Sequence, residues 1–267
     1  MLKEINKVQI EHYLENGFVS LPGFLTPDEI NELKAAVLEG VATTEKRIVP
    51  GTGAYYDAVW TRRVNLWKNN KTVKRYMLHK NLGRILSRLA SVDALRIWHD
   101  QALIKEPFAN PTGYHLDIGK WSFSSAHAIS VWIALEDATL CNGCLWFVPG
   151  SHRIATFDTV DINENLGGLF EVFPGMAGID PVPMPLKAGD CSFHNGLLAH
   201  GAGANMTRGR RIAMTCAYMP DGSVFNGRQN VLPDDYFQSL AVGDVLENDD
   251  CNPLVFRNGF EEDPRRR

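Results

Sequence analysis

Four residues of this chain have the chemistry to hold a metal ion beside an organic acid: His115, Asp117, His200 and Arg211. His115 and Asp117 are two apart in Tyr114-His115-Leu116-Asp117. Residues i and i+2 of an extended strand point to one face. An imidazole nitrogen and a carboxylate oxygen can therefore meet one ion from a single short strand. His200, which ends Phe193-His194-Asn195-Gly196-Leu197-Leu198-Ala199-His200, is the candidate for a third ligand. His194 competes for that place and is read as a core or cavity-wall histidine. Two histidines and one carboxylate with open positions opposite are the usual ligands of non-haem Fe(II) oxygenases. A dicarboxylic co-substrate then needs a fixed cation at its far end, and arginine offers a bidentate fork that lysine lacks. Arg208, Arg210 and Arg211 follow His200 by eight to eleven residues. Arg211 begins the strand-like run Ile212-Ala213-Met214-Thr215-Cys216, whereas Arg208 and Arg210 read as a solvated turn.

The elements around these residues change character along the chain. Residues 4–16 carry helical periodicity and stop at Gly17. Phe18 to Leu25 is a short strand and turn. Thr26-Pro27-Asp28-Glu29 opens a second helix, with an N-cap, a proline at the first helical position and a glutamate three residues after the cap. Residues 44–68 lack periodicity but carry Tyr55, Tyr56, Trp60 and Trp67, and such a segment can border a cavity. Residues 71–91 read as one or two helices broken near Lys80-Asn81. From residue 94 short β-rich runs alternate with turn residues: 94–106, 112–117, 126–136, 144–148, 184–187, 190–194, 197–200 and 210–219. Within the third, period two sets Val131, Ile133 and Leu135 on one face and Trp132 and Ala134 on the other. Residues 150–182 form a glycine-containing insertion suited to closing over a site, and residues 221–267 an acidic tail ending in three solvated arginines. The expected fold is α+β. Its core is a double-stranded β-helix (a jelly-roll, cupin-like barrel), flanked by N-terminal helices over about 1–92, with the β core at about 93–220 and a C-terminal extension at about 221–267. All 267 residues are expected to form a single domain.

Composition narrows the partners. A net charge of −4 gives no basic excess for nucleic acid. No run of eighteen apolar residues suggests a membrane span, and the charged start does not resemble a signal peptide. Five cysteines, odd in number and sparse, suit a reducing cytosol, so a cytoplasmic protein is expected. Cys141-Asn142-Gly143-Cys144 reads as a turn, because no second pair completes a zinc site. A monomer or weak dimer is expected.

The run Trp132-Ile133-Ala134-Leu135-Glu136-Asp137-Ala138-Thr139, followed by Asn142-Gly143-Cys144-Leu145-Trp146-Phe147-Val148-Pro149-Gly150-Ser151-His152, resembles the phytanoyl-CoA dioxygenase family of Fe(II)/2-oxoglutarate oxygenases. The likeness includes the N-terminal Gly17-Phe18-Val19 and Pro22-Gly23-Phe24-Leu25-Thr26-Pro27-Asp28-Glu29, and spans roughly residues 8 to 220. It implies that His115, Asp117 and His200 hold iron and that Arg211 holds the distal carboxylate of 2-oxoglutarate. It implies that Gln101 and Trp132 line the co-substrate site, with Lys105 facing the same way, and that Trp121 lies near the metal. The chain departs from many relatives in having Ala202 where a hydroxyl residue is usual, and no clear upstream lysine near Arg63-Val64-Asn65-Leu66. Asp117 is intact, which argues against halogenation.

The resemblance therefore implies a dioxygenase that uses Fe(II), 2-oxoglutarate and O2, with ascorbate helpful in vitro. It would oxidise, most simply hydroxylate, a C–H bond of a small to medium molecule and release succinate and CO2. Trp121, Tyr56, Trp60 and His194 are the candidate substrate contacts, and the Arg62-Arg63 pair could place a carboxylate. The alternatives are a Zn(II)- or Mn(II)-dependent hydrolase or isomerase, and a non-catalytic binding protein on the same fold.

Overall fold

Local sequence signals start the helices as expected. The computed structural model describes residues 1, 4–46, 49, 55, 59–158 and 161–259. Helix α1 (Lys7–Asn16) begins at an Asn6/Gln9 capping box, and Gly17, with φ +83°, ends it in the left-handed region. Strand β1 (Phe18–Leu21) follows. Helix α2 (Pro27–Thr43) begins at the Thr26/Glu29 capping box with Pro27 in its first turn, and buries Leu33, Ala36 and Val37. After β2 (Thr61–Val64), helices α3 (Lys71–Met77) and α4 (Lys80–Ala90) are separated at Leu78-His79, and the His79 side chain caps α4.

The remaining strands are β3 (Ala94–Lys105), β4 (Thr112–His115), β5 (Ile129–Ala134), β6 (Leu145–Phe147), β7 (Val182–Met184), β8 (Cys191–Asn195), β9 (His200–Ala202), β10 (Arg211–Pro220) and β11 (Leu254–Arg257). They form two antiparallel sheets. The larger runs β1-β8-β5-β10-β3-β11, with β2 also on β3, and the smaller runs β4-β9-β6-β7. The expected α+β jelly roll is therefore present. Its boundary differs from the expected 93–220, because β1, β2 and β11 complete the larger sheet from outside that range. Single short strands flanked by helices carry little pattern of their own, and pairing partners decide their fate.

Strand β5 shows why the larger sheet is two-faced. All six of its residues are buried. Val131 and Ile133, with the following Leu135, pack among the helices with Leu33, Val37, Leu86 and Leu89. Trp132 and Ala134 face the opposite sheet with Phe147, Leu145 and Ala202. The period-two reading thus holds on both faces. The segments read as an insertion and an acidic tail are both packed on the barrel. The insertion contributes a short helix α5 (Gly168–Val172), and Leu169, Phe173 and Met176 pack on Leu116 and Ala199. The segment after β10 buries Phe225, Val231, Leu232 and Leu246 against Trp98 and Trp121 before β11 joins the sheet. Arg265 to Arg267 lie outside the described residues.

Candidate active site

Strand register brings the candidate ligands together. His115 on β4 is the direct cross-strand partner of His200 on β9. Their rings lie 4.3 Å apart between centroids. Asp117 is not on the strand with His115, contrary to the expectation from its two-residue spacing. β4 ends at His115, and Asp117 takes helical dihedrals (φ −64°, ψ −48°) at the start of a 3-10 turn over Ile118–Lys120. The turn is pinned where the Ile118 N–H donates to the Gly196 carbonyl at 3.0 Å. The carboxylate still reaches the histidines, because the turn folds it back: its Oδ1 lies 3.7 Å from Nε2 of both His115 and His200. One donor atom from each of the three residues lies within 4.8 Å of the others, and the set could hold a metal ion.

Hydrogen bonds orient every member of this set. His115 Nδ1 is 2.9 Å from the Gly113 carbonyl, and His200 Nδ1 is 2.9 Å from the Leu198 carbonyl. A carbonyl only accepts, so each Nδ1 carries the proton and each Nε2 presents a lone pair. Burial lowers both imidazoles, and His200 falls to about 3 with the His115 charge as the next cause, which keeps both rings neutral at pH 7. The larger sheet holds the carboxylate. Ser130 Oγ donates to Asp117 Oδ2 at 3.1 Å, and His194 Nε2 donates to the same oxygen at 3.2 Å. Ser130 and His194 are register partners across β5 and β8. Burial alone would raise Asp117, but the His200, His194 and His115 side chains outweigh it and hold the carboxyl well below its ordinary range. His194, expected as a substrate contact, hydrogen-bonds Asp117 and also lines the cavity beside the triad. Nothing in its local sequence signals that role.

Arg211 is the second pole of the site. It opens β10 opposite Lys105 on β3, as its strand-like context predicted. It is fully buried, and among the described residues none accepts a hydrogen bond from any of its three guanidinium nitrogens. Its guanidinium carbon sits 4.9 Å from the Trp60 ring centroid and 5.0 Å from that of Trp132. Trp60, expected on the substrate side, thus belongs with the cation. Lys105 is also fully buried, donates to the Gly203 carbonyl at 2.6 Å, and lies 4.6 Å above the same Trp60 ring. Arg208 and Arg210 are exposed, as expected for a turn. A buried arginine with no acceptor is a demand for a carboxylate.

Two chambers meet at the triad. The first, of about 540 Å³, runs from His115, Asp117 and His200 past Trp132, Thr215 and Leu103 to Trp60. The second, of about 440 Å³, shares His99, Gln101, His115, Asp117 and Trp121 with it, and runs to Arg62, Lys120 and Asn230. Gln101 and Trp121 therefore border both, close to where the resemblance put them. Tyr56 lies outside the described residues. Sequence reading missed His99, Ser130 and Asn230. His99 had one usable signal, its place two residues before Gln101 on the same strand face. Asn230 had none, since its segment read as a tail.

The Cys141-Asn142-Gly143-Cys144 turn supports the cation end, and all five cysteines are free. Gly143 has φ +92°, and a Cβ there would meet the Gly203 carbonyl oxygen at 2.7 Å and Lys105 Cδ at 2.8 Å. Gly143→Ala should cost about 1–2 kcal/mol from the left-handed backbone alone. The carbonyl that holds Lys105 must also move. A lowered melting temperature with a weakened 2-oxoglutarate affinity is expected, and an unchanged affinity would disprove the contact's importance.

An antiparallel two-sheet barrel, a His-Asp-His donor set between the sheets and a buried arginine with no acceptor among the described residues are the features of a non-haem iron, 2-oxoglutarate-dependent oxygenase. Comparison with known proteins carries this to a family. The model of the phytanoyl-CoA dioxygenase (PhyH) family matches residues 13–213, and the chain belongs to that family. It is 31% identical over 235 residues to human peroxisomal phytanoyl-CoA dioxygenase, covering 79% of this chain and 67% of that one. Among solved structures it is similar to the non-haem alpha-ketoglutarate-dependent carbocyclase SnoK from nogalamycin biosynthesis, with 29% identity, a TM-score of 0.79 and coverage of 94% and 96%. It is also similar to the epimerase SnoN in complex with Fe3+, alpha-ketoglutarate and nogalamycin RO, with 29% identity, a TM-score of 0.77 and coverage of 93% and 98%. The protein is thus an enzyme of the iron/2-oxoglutarate class. Among the described residues no helix is long and apolar enough to cross a membrane.

Proposed function

We propose that this enzyme hydroxylates a C–H bond of a small to medium organic molecule, with His115, Asp117 and His200 as the iron ligands and Arg211 as the anchor of 2-oxoglutarate. The single observation that carries the reading is a triad at one end of a chamber whose Trp60 and Trp132 walls pack on a fully buried Arg211 that has no hydrogen-bond acceptor among the described residues. When bound, iron with 2-oxoglutarate and O2 supplies an oxidant able to cleave an unactivated C–H bond, with release of succinate and CO2. The residues do the rest. His115 and His200 offer neutral Nε2 atoms with fixed tautomers. Ser130 and His194 keep Asp117 ionised and correctly turned. Arg211 pairs with the distal carboxylate, while Trp132, Leu103 and Trp60 keep water from that chamber. Substrate enters the second chamber, so the C–H bond to be oxidised is the one held toward the triad. Hydroxylation, ring closure and epimerisation share C–H cleavage, and product analysis separates them.

The test is succinate release by protein supplied with Fe(II), 2-oxoglutarate, ascorbate and O2 against a metabolite panel. Dependence on both iron and 2-oxoglutarate is expected. Turnover with Zn(II) or Mn(II) and no O2 would establish the hydrolase or isomerase reading instead.

Lys105 adds a pH dependence. Burial, and then the neighbouring Arg211 charge, push its ammonium from 10.5 down to about 7. A bound carboxylate favours the ammonium, so above about pH 7 binding takes up a proton. 2-Oxoglutarate affinity should be flat below about pH 7 and weaken above it, by at most about tenfold per pH unit. Calorimetry of the Mn(II) form across pH 6–9 checks this, and Lys105→Met should remove the slope.

A further inference from the structure

The strand pair that joins His115 to His200 continues toward the buried cations, and it carries a polar group that has no task so far. On β9, Ala202 follows His200 by two residues and shares its face, and both line the first chamber. Gly203 comes next. Its carbonyl accepts from Lys105, the register partner of Arg211. The ladder therefore runs from the metal ligands at His200 to the cation end at Gly203. Two residues of strand advance about 7 Å. That matches the reach of 2-oxoglutarate from its keto end to its far carboxylate.

The residue opposite Ala202 is Thr112 on β4. It is 5% exposed and lines the same chamber, and its Oγ1 is buried with no hydrogen-bond partner among the described residues. Threonine commonly satisfies its hydroxyl on neighbouring backbone, so an unmet one in a chamber wall calls for an explanation. Its place is closely set. A Cβ on Gly201 would lie 2.8 Å from the Thr112 carbonyl oxygen, so the bare glycine lets β4 and β9 close at this point.

The other unmet groups at this end say what is missing. They are Nε1 of Trp60, Nε1 of Trp132 and the three guanidinium nitrogens of Arg211. Indole and guanidinium nitrogens only donate, and Thr112 Oγ1 accepts from none of them. A chamber end edged with donors and short of acceptors is completed by an anion with lone pairs to spare. A carboxylate offers about four.

We propose that Thr112 is a second anchor of 2-oxoglutarate, its hydroxyl donating to the distal carboxylate that Arg211 pairs with. The strand pair thus carries on β4 the hydroxyl that Ala202 leaves off β9. The inference rests on the iron and 2-oxoglutarate reading, and it gives Thr112 a contact made only when the co-substrate is bound.

Calorimetry on full-length protein loaded with Mn(II) tests this, with thermal unfolding of the cofactor-free protein alongside. Thr112→Val keeps the side chain's shape and removes its hydroxyl. It should weaken 2-oxoglutarate binding roughly tenfold, as expected for a hydrogen bond to a charged group. The same variant without cofactors should unfold at the wild-type temperature or above it, because no partner is lost there. Thr112→Ser keeps the hydroxyl and should retain most of the affinity. The acid 2-oxopentanoate has the keto acid but no distal carboxylate, and should bind wild type and Thr112→Val alike. Wild-type affinity in Thr112→Val, an equal loss for 2-oxopentanoate, a loss in Thr112→Ser as large as in Thr112→Val, or earlier unfolding of cofactor-free Thr112→Val would overturn the proposal while leaving the iron reading in place. Failure of the wild type to bind 2-oxoglutarate with Mn(II) would overturn that reading, and this inference with it.

Discussion

Arg211→Met is expected to make the cofactor-free protein more stable and nearly blind to 2-oxoglutarate. The guanidinium is fully buried and no described residue accepts from it, so the free protein bears the cost of a desolvated, unpaired cation. The faces of Trp60 and Trp132 offset only part of that cost, since a cation–π contact is worth about 0.5–2 kcal/mol. Replacing buried charge by an apolar side chain of similar volume is commonly neutral or stabilising by about 1–4 kcal/mol. Arginine keeps its proton even here, so neutralisation gives no escape. Removing one partner of a buried carboxylate pair costs about 2–5 kcal/mol of binding, or roughly 30-fold to several-thousand-fold in the dissociation constant. Thermal unfolding with and without Mn(II) and 2-oxoglutarate tests both halves. The wild type should gain stability on adding the acid, and the variant should start higher and gain little. A variant that unfolds earlier than the wild type without cofactors would mean Arg211 has a structural partner, and its role as an anchor would need rethinking.

Asp117→Ala should abolish iron binding at assay concentrations and lower succinate release by at least about 100-fold, beyond the 10–100-fold typical of losing a mere supporting contact. The substitution removes the anionic ligand and also strands two donors, Ser130 Oγ and His194 Nε2. Each buried unmet donor costs about 1–3 kcal/mol unless water enters the gap. The variant should therefore unfold at lower temperature than the cofactor-free wild type. The wild type's own advantage should fade in acid. The Asp117 carboxyl is depressed in the folded protein, so its contribution is full above the unfolded carboxyl's pKa and is lost as pH falls through the folded one. Metal analysis by mass spectrometry and a melting series decide the matter. Unchanged iron content would remove Asp117 from the ligand set.

Much of this architecture was legible because it repeats a simple period. Alternation in β5 correctly separated Val131 and Ile133 from Trp132 and Ala134, and capping residues placed the start of α2. The order His115, Asp117, His200, Arg211 marked both poles of the site. What the period could not carry was anything decided by partners distant in sequence. Asp117 left the strand because its turn is pinned by Gly196. β1, β2 and β11 joined the larger sheet through pairing with β8 and β3. Ser130 and His194 look like ordinary strand residues until register sets them opposite each other. Asn230 is invisible for the same reason: its segment is folded by the apolar residues around it, Phe225, Val231 and Leu246, which cover the barrel end.

Asp117 stands outside the hydrogen-bonded ladder that pairs His115 with His200. The histidines sit opposite each other in the register of the smaller sheet. The carboxylate sits on a turn, held by Ser130 and His194 from the other sheet. A substitution there leaves the sheet pairing as it was, and opens a hole already lined by two donors. Inheritance of the barrel and inheritance of its reaction are thus separable at a single codon.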